Sequence, residues 1–487
     1  MSVQQQGQLG AGLKPRHVTM ISIAGVIGAG LFIGSSKASA EAGPAVLISY
    51  ALAGTLVVLV MRMLGEMATA QPDTGSFSTY ADRALGRWAG FSVGWLYWWF
   101  WVLVIPVEAT AGALIINDWI GGPQWVWALL ITALLTATNL FSVANYGEFE
   151  FWFALVKVVA IIAFLGVGTL AILGVFPGSD VSGLGGLTAA GGFLPNGFGA
   201  VIAAMLVTMF TFKGTEIVTI AAAESADPAK GISKAVNSVI WRICLFYVGS
   251  IFVVVALSRW NDPGLVEEGS YQHVLGLIGI PGAKAIVDLV VLTAVSSCLN
   301  SALYTASRMA FSLSRRSDAP AAWSSVSEHG VPRNAILAST AVGFIAVVGN
   351  YLLPEKLFGY LLATTGAIAL FVYLVIACSQ LVMRKRMDAE GVTPPVRMWA
   401  FPALTYLAIG FIVVVLVLML VREGHRLELG LSTVLAGVIV ATGVWRHRGG
   451  SSHHASSVDD RDGSDVVDLT ALQGRSTADG PDGRRQP

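Results

Sequence analysis

The sequence predicts an all-α integral membrane protein, and three observations support this fold class. Of its 487 residues, 55% are hydrophobic and 12% are charged, whereas a soluble domain carries about a quarter charged residues. The apolar residues form runs of roughly 20, the length at which a helix crosses about 30 Å of hydrocarbon. Two of these runs are interrupted, which is typical of transporters rather than of simple membrane anchors.

Short polar stretches separate the apolar runs, and the pattern predicts twelve transmembrane helices. The predicted spans lie near residues 18 to 38, 44 to 69, 92 to 116, 124 to 144, 151 to 175, 198 to 222, 237 to 257, 284 to 312, 334 to 353, 357 to 382, 401 to 421 and 427 to 446. The first run follows a polar tail and lacks the cleavage site of a signal peptide. We therefore expect three regions: a cytoplasmic tail at 1–17, a twelve-span domain at 18–447, and a disordered cytoplasmic tail at 448–487, rich in Ser, Asp, Gly and Arg.

The distribution of basic residues predicts the orientation in the membrane. Lys and Arg near the ends of spans favour the cytoplasmic side. With both termini inside, only a minority of the basic residues outside the C-terminal tail would face outward, namely Lys37, Arg259, Lys284, Lys356, Arg422 and Arg426. The bias supports an even number of spans with both termini in the cytoplasm.

Cysteine and histidine positions argue against metal or cofactor chemistry. Cys244, Cys298 and Cys378 all fall within predicted spans without paired metal-binding spacing, and the histidines lie in tails, loops or span ends. The spans also lack the cluster of His, Cys and carboxylates that a membrane enzyme commonly needs. We expect no metal, no cofactor, no nucleic-acid partner and no enzymatic activity.

Two spans contain interruptions at matching places in the two halves of the chain. Span 1 contains GVIGAGLFIG, Gly25 to Gly34, and span 6 contains FTFKGTE, Phe210 to Glu216. A helix broken within the bilayer leaves backbone groups unpaired, which is tolerated only where protein or a ligand satisfies them. Close helix packing is the alternative explanation for isolated glycines. Because the breaks are paired, we instead predict a substrate site between inverted repeats.

Several motifs resemble the amino acid–polyamine–organocation permeases. The resemblance begins at SIAGVIGAGLFIG, Ser22 to Gly34, continues through EAGPAVLISYALAG, Glu41 to Gly54, and GEMATAQP, Gly65 to Pro72, and extends over nearly all of 14–447. The segments that look most like bacterial 4-aminobutyrate permeases are Pro72 to Gly90, Gly94 to Ala109, Glu216 to Ser225 and Ser297 to Met309. The resemblance implies the leucine-transporter-type fold, in which spans 1–5 and 6–10 form a five-plus-five inverted repeat with broken helices 1 and 6.

Backbone groups at the two breaks are the candidate substrate ligands. Amides at a helix N-terminus favour carboxylates, and carbonyls at a break are placed to accept from an ammonium group. The amides belong to Ile27, Gly28, Ala29 and Gly30, and the carbonyls to Phe210, Thr211 and Gly214. Phe210 is also placed to act as a lid over the bound solute.

Ionisable residues inside spans are the candidates for proton coupling or gating, because burying them is costly. Glu108 lies in the middle of span 3 and can carry a proton or face the substrate ammonium; a buried, hydrogen-bonded acid is the structural alternative. Lys157 is similar to the lysine that replaces sodium in proton-coupled relatives, and a snorkelling cation is its alternative. Glu216 closes the span 6 break, where it can pair with Lys213 or cap the inner half-helix. Lys213 departs from relatives, which usually carry a neutral residue there.

Span 8 places a polar stripe on one helical face, including Ser297 and Ser301, which we expect to line the pathway. The leading hypothesis is a secondary active transporter in the cell inner (plasma) membrane that imports 4-aminobutyrate or a related small amino acid by proton symport with alternating access. The alternatives are a permease or exchanger for another amino acid and a transport-dead amino acid sensor.

Overall fold

The computed structural model describes residues 16–17, 20, 27–73, 76–141, 143–212, 214–217, 219, 227–328, 330–352, 357–421 and 426–448, and these residues form helices and connecting turns without a β-strand. Nearly all of both predicted tails, much of predicted span 1 and the side chain of Lys213 lie outside the described residues. The chain forms two compact units, residues 1–443 and 444–487, and the described part of the second unit is the last turn of the final helix.

The α-helices are numbered here in chain order. They are α1 (Ser35–Ala42), α2 (Val46–Ala70), α3 (Ser76–Leu85), α4 (Arg87–Ile120), α5 (Gln124–Asn139), α6 (Val143–Ile172), α7 (Gly197–Thr211), α8 (Pro228–Arg242), α9 (Ser250–Leu257), α10 (Pro263–Glu267), α11 (Ser270–Ile278), α12 (Ala283–Arg315), α13 (Arg333–Leu352), α14 (Leu357–Ala389), α15 (Ala403–Val421) and α16 (Arg426–His447). Two π-helical segments, Gly30–Gly34 and Ile243–Gly249, lead into α1 and join α8 to α9.

Eight helical stretches in the described part of the chain are long and apolar enough to cross a membrane. They are Gly30–Ala70, Arg87–Ile120, Gly147–Ile172, Pro228–Leu257, Ala283–Arg315, Thr364–Ala389, Ala403–Val421 and Leu429–His447. The first of them changes direction at Gly43, where φ is 64° and ψ is −153°, so it comprises the end of predicted span 1 and all of span 2. Each predicted span contains helix among the described residues, although spans 1 and 6 also contain non-helical residues.

Large apolar side chains cover the outside of the bundle. Leu134 on α5 is 66% exposed, Ile345 on α13 is 71% exposed and Val434 on α16 is 66% exposed. A water-soluble protein rarely exposes contiguous apolar surface of this kind, whereas lipid tails solvate it well. The surface therefore supports a multi-pass membrane protein.

The interior of the bundle is built around α4. This helix packs against α12 and α14, α12 also packs against α6, and α2 packs against α7 and α8. Several ionisable side chains are buried between these helices, including Glu108, Glu150, Lys157 and Glu216. Polar groups therefore concentrate in the interior, where charged side chains must find partners.

A buried ion network joins α2 to α14 and to the segment that follows α14. The carboxylate of Glu66 accepts hydrogen bonds from Arg384, from Gln380 Nε2 at 2.9 Å and from the backbone amide of Met398 at 3.0 Å. Arg384 also donates to Asp388, whose side chain is 46% exposed. Because α14 and the segment that follows it supply three donors to this single carboxylate, Glu66 connects α2 to both.

Replacing Glu66 with glutamine should destabilise the protein, because it leaves Arg384 without its buried counter-charge. We expect a loss of about 3 kcal/mol in the free energy of unfolding, the lower end for a broken buried pair, since Asp388 still binds Arg384. Denaturant titration of the purified protein in detergent micelles measures this loss. The half-exposed Asp388→Asn variant is the control and should lose under about 1 kcal/mol; equal losses for the two variants would contradict the interpretation.

Candidate functional site

The described part of the span 1 break is a short non-helical segment followed by a π-helical turn. Ile27 and Gly28 are not helical, the helix starts at Ala29, and all three residues are buried. The amide of Ala29 donates to Oε2 of Glu108 at 3.0 Å. A carboxylate from α4 thus already binds at the helix start, as expected for the positive end of a helix dipole.

Glycines at this break allow three helices to approach one another. A Cβ atom on Gly28 would lie 2.7 Å from Glu108 Oε1 and 2.8 Å from the Cβ of Cys298. A Cβ atom on Gly30 would lie 2.8 Å from the Cα of Thr211. The glycines predicted to expose amides therefore also make room for α4, α7 and α12.

The span 6 interruption begins where α7 ends, at Thr211. Gly214 has φ 80°, a left-handed conformation that favours glycine and takes the chain out of the helix. The single hydrogen of the Thr211 hydroxyl is shared between the Gly30 carbonyl at 3.0 Å and the Val207 carbonyl at 2.9 Å. The two interruptions, distant in sequence, therefore meet through a hydrogen bond between Thr211 and Gly30.

Phe210 and Glu216 are buried on either side of this interruption. The Thr215 hydroxyl donates to Glu216 Oε2 at 3.4 Å, and the side chains of Tyr97 and Tyr373 lie beside the same carboxylate. Lys213 lies outside the described residues, so its predicted pairing with Glu216 stays a prediction. The structure places Glu216 among hydroxyl groups from α4 and α14.

Lys157 binds both the span 1 break and α12. Its Nζ atom donates to the Ile27 carbonyl at 3.2 Å and to the Ser297 hydroxyl at 2.7 Å, and lies 3.8 Å from Glu150 Oε1. Both side chains of the ion pair are fully buried. The ammonium group is therefore held by named partners in the interior instead of reaching toward the membrane surface, as a snorkelling side chain would.

Span 8 contributes the predicted polar stripe from α12. Ser297, Ser301 and Tyr304 are all fully buried, and the guanidinium of Arg308 stacks over the Tyr304 ring at 3.9 Å. Ser297 contacts Lys157, whereas the structure gives Arg308 a stacking role further along the helix. The stripe faces the bundle interior, and its Ser297 end reaches the two breaks.

Sequence reasoning missed Glu150, because the predicted start of span 5 at residue 151 left it just outside the membrane. The Ser297 hydroxyl donates to Glu150 Oε1 at 2.5 Å. Glu150 and Lys157 are seven residues apart, which is close to two helical turns and places them on one face of α6. That spacing was the feature of the sequence from which the pairing of Glu150 with Lys157 could have been predicted.

Sequence reasoning also missed Arg242, which it counted among the basic residues at inner span ends. Its side chain is 1% exposed, and its Nε and Nη2 atoms have no hydrogen-bond partner in the part of the chain that the structure describes. It interacts electrostatically with Glu216 and Tyr247. Nothing in the local sequence distinguishes it from a cytoplasmic arginine, because its burial depends on how α8 packs against α2.

Comparison with known proteins identifies the family of the chain. The family model described as amino acid permease matches residues 17–444. The chain is 61% identical over 447 residues to a probable GABA permease of Pseudomonas aeruginosa, covering 91% of this chain and 94% of the relative. It is 61% identical over 439 residues to the gamma-aminobutyric acid permease of Escherichia coli, covering 90% and 94% of the two chains. A gamma-aminobutyric acid permease of Bacillus subtilis is 52% identical over 439 residues, covering 90% and 93%.

These matches cover the whole helical bundle, including both interruptions and the buried charges between them. They confirm the resemblance drawn from the motifs, and they describe transporters rather than enzymes. The chain is a multi-pass membrane protein that belongs to the amino acid permease family.

Proposed function

We propose that this permease imports 4-aminobutyrate across the plasma membrane by proton symport. The 4-aminobutyrate substrate is proposed from the relatives, which are named as GABA permeases at 52% to 61% identity over about nine-tenths of the chain. The observation that supports the site is the hydrogen bond between the two interruptions, which Thr211 Oγ1 donates to the Gly30 carbonyl. A small zwitterion bound there would meet backbone dipoles of both signs.

The proposed architecture is that of a transporter with alternating access. Twelve spans at 18–447, with cytoplasmic tails at 1–17 and 448–487, would place both termini inside. Spans 1–5 and 6–10 would form the five-plus-five inverted repeat of the leucine-transporter type, which places the two breaks face to face. The largely exposed α15 and α16 suit the peripheral spans 11 and 12.

The substrate carboxylate is proposed to bind the amides of Ile27, Gly28 and Gly30, since the Ala29 amide already donates to Glu108. Glu108 would then face the substrate ammonium, together with carbonyls of Phe210, Thr211 and Gly214. Phe210 would cover the bound solute. In this arrangement the protein supplies opposite partial charges at a spacing that a short amino acid can bridge.

The coupling proton is proposed to reside at Lys157, with Glu108, Glu216 and Lys213 taking part in coupling or gating, and with Ser297 and Ser301 lining the pathway. The charged form of Lys157 donates to the Ile27 carbonyl in the span 1 break. Charge-assisted hydrogen bonds are roughly twice as strong as neutral ones. Loss of the Lys157 proton would therefore loosen the break, which links protonation to the movement of span 1.

Uptake by the purified protein in proteoliposomes tests this function. We expect labelled 4-aminobutyrate to accumulate when the lumen is alkaline and to leak out when a protonophore collapses the gradient. Excess unlabelled 4-aminobutyrate should abolish uptake, whereas excess phenylalanine or lysine should leave most of it. Failure of 4-aminobutyrate to compete with any transported amino acid would refute the substrate assignment.

The same vesicles separate the alternative functions. An exchanger would take up substrate only when the lumen is preloaded with amino acid, whatever the pH gradient. A sensor would bind labelled 4-aminobutyrate without uptake or exchange. Gradient-driven accumulation into empty vesicles would exclude both as the sole role of the protein.

A further inference from the structure

We propose that Ser297 relays a proton between Lys157 and Glu150, so that the coupling site is this three-residue chain and not the lysine alone. The proposal rests on the proton symport proposed above and assigns new roles to Glu150 and Ser297. It follows from an unbroken chain of hydrogen bonds between two fully buried ionisable groups on one helix face.

The geometry forms a directed chain. Lys157 Nζ donates to Ser297 Oγ at 2.7 Å, and Ser297 Oγ donates to Glu150 Oε1 at 2.5 Å. Each hydroxyl has one hydrogen to donate and lone pairs to accept, so Ser297 is used in both directions. The nitrogen and the carboxylate oxygen are themselves 3.8 Å apart, too far for a direct hydrogen bond, and the hydroxyl bridges them by two steps of hydrogen-bond length.

The proton transfer conserves both the number of protons and the net charge of the three groups. One Nζ–H bond of the Lys157 ammonium breaks and its proton passes to Ser297 Oγ, while the Ser297 Oγ–H proton passes to Glu150 Oε1. The products are a neutral amine, an unchanged hydroxyl and a neutral carboxylic acid. The pair has zero net charge before and after, so the transfer leaves no uncompensated charge in the bilayer interior, where such a charge is costly.

Glu150 has the capacity to pass the proton on. Its second oxygen, Oε2, has no hydrogen-bond partner within the part of the chain that the structure describes. A buried carboxylate oxygen without a donor is an exception that calls for an explanation. Rotation of the protonated carboxyl group about its Cγ–Cδ bond would bring the new O–H into the position of Oε2, and we assign that position as the point from which the proton leaves the chain.

The titratable groups around the relay lie on three helices. The titratable groups that face Lys157 are Glu150 on its own helix, Glu108 on α4 and Cys298 on α12. Around Glu150, among the residues that the structure describes, the titratable neighbour is Lys157, and the uncharged side chains of Ser297, Asn300 and Ser301 lie beside it. Glu108 binds the Ala29 amide directly, whereas Glu150 is connected to the span 1 break through Lys157, which donates to the Ile27 carbonyl.

Position along α6 gives the relay a direction. Glu150 precedes Lys157 by seven residues, about 10 Å along the helix axis. With the proposed cytoplasmic N-terminus, α6 starts at the inner face. A proton handed from Lys157 to Glu150 therefore moves toward the cytoplasm, the direction that symport requires.

The decisive experiment compares Ser297→Ala with Ser297→Thr in proteoliposomes. Two rates are measured for each variant: accumulation driven by a pH gradient, and exchange of labelled for unlabelled 4-aminobutyrate at equal pH, which needs no net proton movement. Ser297→Ala should lower the ratio of accumulation to exchange by about 100-fold, the effect of losing a positioned proton-transfer group. Ser297→Thr keeps the hydroxyl and should restore the ratio.

Two further variants complete the test. Glu150→Gln removes the proton acceptor at nearly constant side-chain volume and should lower the ratio of accumulation to exchange by a similar factor. It tests the relay independently if Ser297→Ala fails to fold. Thr293→Val is the matched control, because the Thr293 hydroxyl lies one turn away on α12 and donates to the carbonyl of Leu289 in its own helix. Its ratio should equal that of the wild type.

The outcomes separate the relay from the proposed function. If the rate of wild-type uptake does not depend on the pH gradient, both proton symport and the relay are refuted. Gradient-driven uptake by the wild type, combined with an unchanged ratio in Ser297→Ala or Glu150→Gln, would overturn the relay alone. A pH-sensitive dye in the lumen measures how many protons enter with each substrate molecule. The relay is supported if this number falls in Ser297→Ala and Glu150→Gln and stays at the wild-type value in Thr293→Val.

Discussion

Replacing Gly30 with alanine is expected to lower uptake by about 100-fold, the scale of effect that a misplacement of about 1 Å produces at a functional site. The added Cβ atom would lie 2.8 Å from the Cα of Thr211 and 3.1 Å from Phe210 Cδ1. The nearest obstacle is a backbone atom, so no side-chain rotation relieves it. The two interruptions must separate, and the hydrogen bond from Thr211 to the Gly30 carbonyl is lost with them.

Initial rates of 4-aminobutyrate uptake in proteoliposomes, corrected for the amount of inserted protein, measure this effect. Gly166→Ala is the matched control: Gly166 lies within α6, and a Cβ atom there would have no atom within 4 Å. Its uptake should match that of the wild type. Equal rates for Gly30→Ala and Gly166→Ala would show that the close contact between the breaks does not matter for transport.

Replacing Lys157 with methionine is expected to destabilise the folded protein by about 3–5 kcal/mol, because it leaves a buried carboxylate without its counter-charge. Glu150 and Lys157 are both fully buried, so water cannot compensate for the loss. Methionine fills most of the volume of the lysine stem, which separates the loss of charge from the creation of a cavity. Denaturant titration in detergent micelles measures the free energy of unfolding.

The double variant Lys157→Met/Glu150→Gln tests the cause. Removing both charges should recover part of the lost stability, with a coupling energy of about 1–3 kcal/mol, as for other residues in direct contact. Transport coupled to protons should remain defective in the double variant even where stability recovers. Strictly additive losses would show that the two charges do not stabilise each other.

Much of the architecture could be read from the amino-acid sequence. The length and spacing of the apolar runs predicted a helical membrane protein, and the described residues form eight helical stretches long and apolar enough to cross a membrane. The motifs at Ser22 to Gly34, Glu41 to Gly54 and Gly65 to Pro72 identified the family, and the match over residues 17–444 confirmed it. These predictions succeeded because hydrocarbon imposes strict rules on length, polarity and backbone pairing.

The partners of the buried charges were beyond sequence reasoning. The sequence singled out Glu108 and Lys157 as costly residues in the bilayer, but it gave no sign that one binds the Ala29 amide and the other the Ile27 carbonyl and Ser297. It placed Glu150 outside the membrane and Arg242 at a span end, and both are buried. Local patterns carry no information about which distant helix faces a side chain.

By itself, then, the sequence determined that the protein lies in a lipid bilayer, that it is helical, and at which two places its helices are interrupted. Each of these follows from the local cost of exposing polar groups to lipid or apolar groups to water. Only the tertiary structure decided that the breaks meet at Gly30 and Thr211, and that Lys157, Ser297 and Glu150 form one chain. Those contacts join residues far apart in the chain, and hydrogen bonds with a range of about 3 Å depend on how the helices pack.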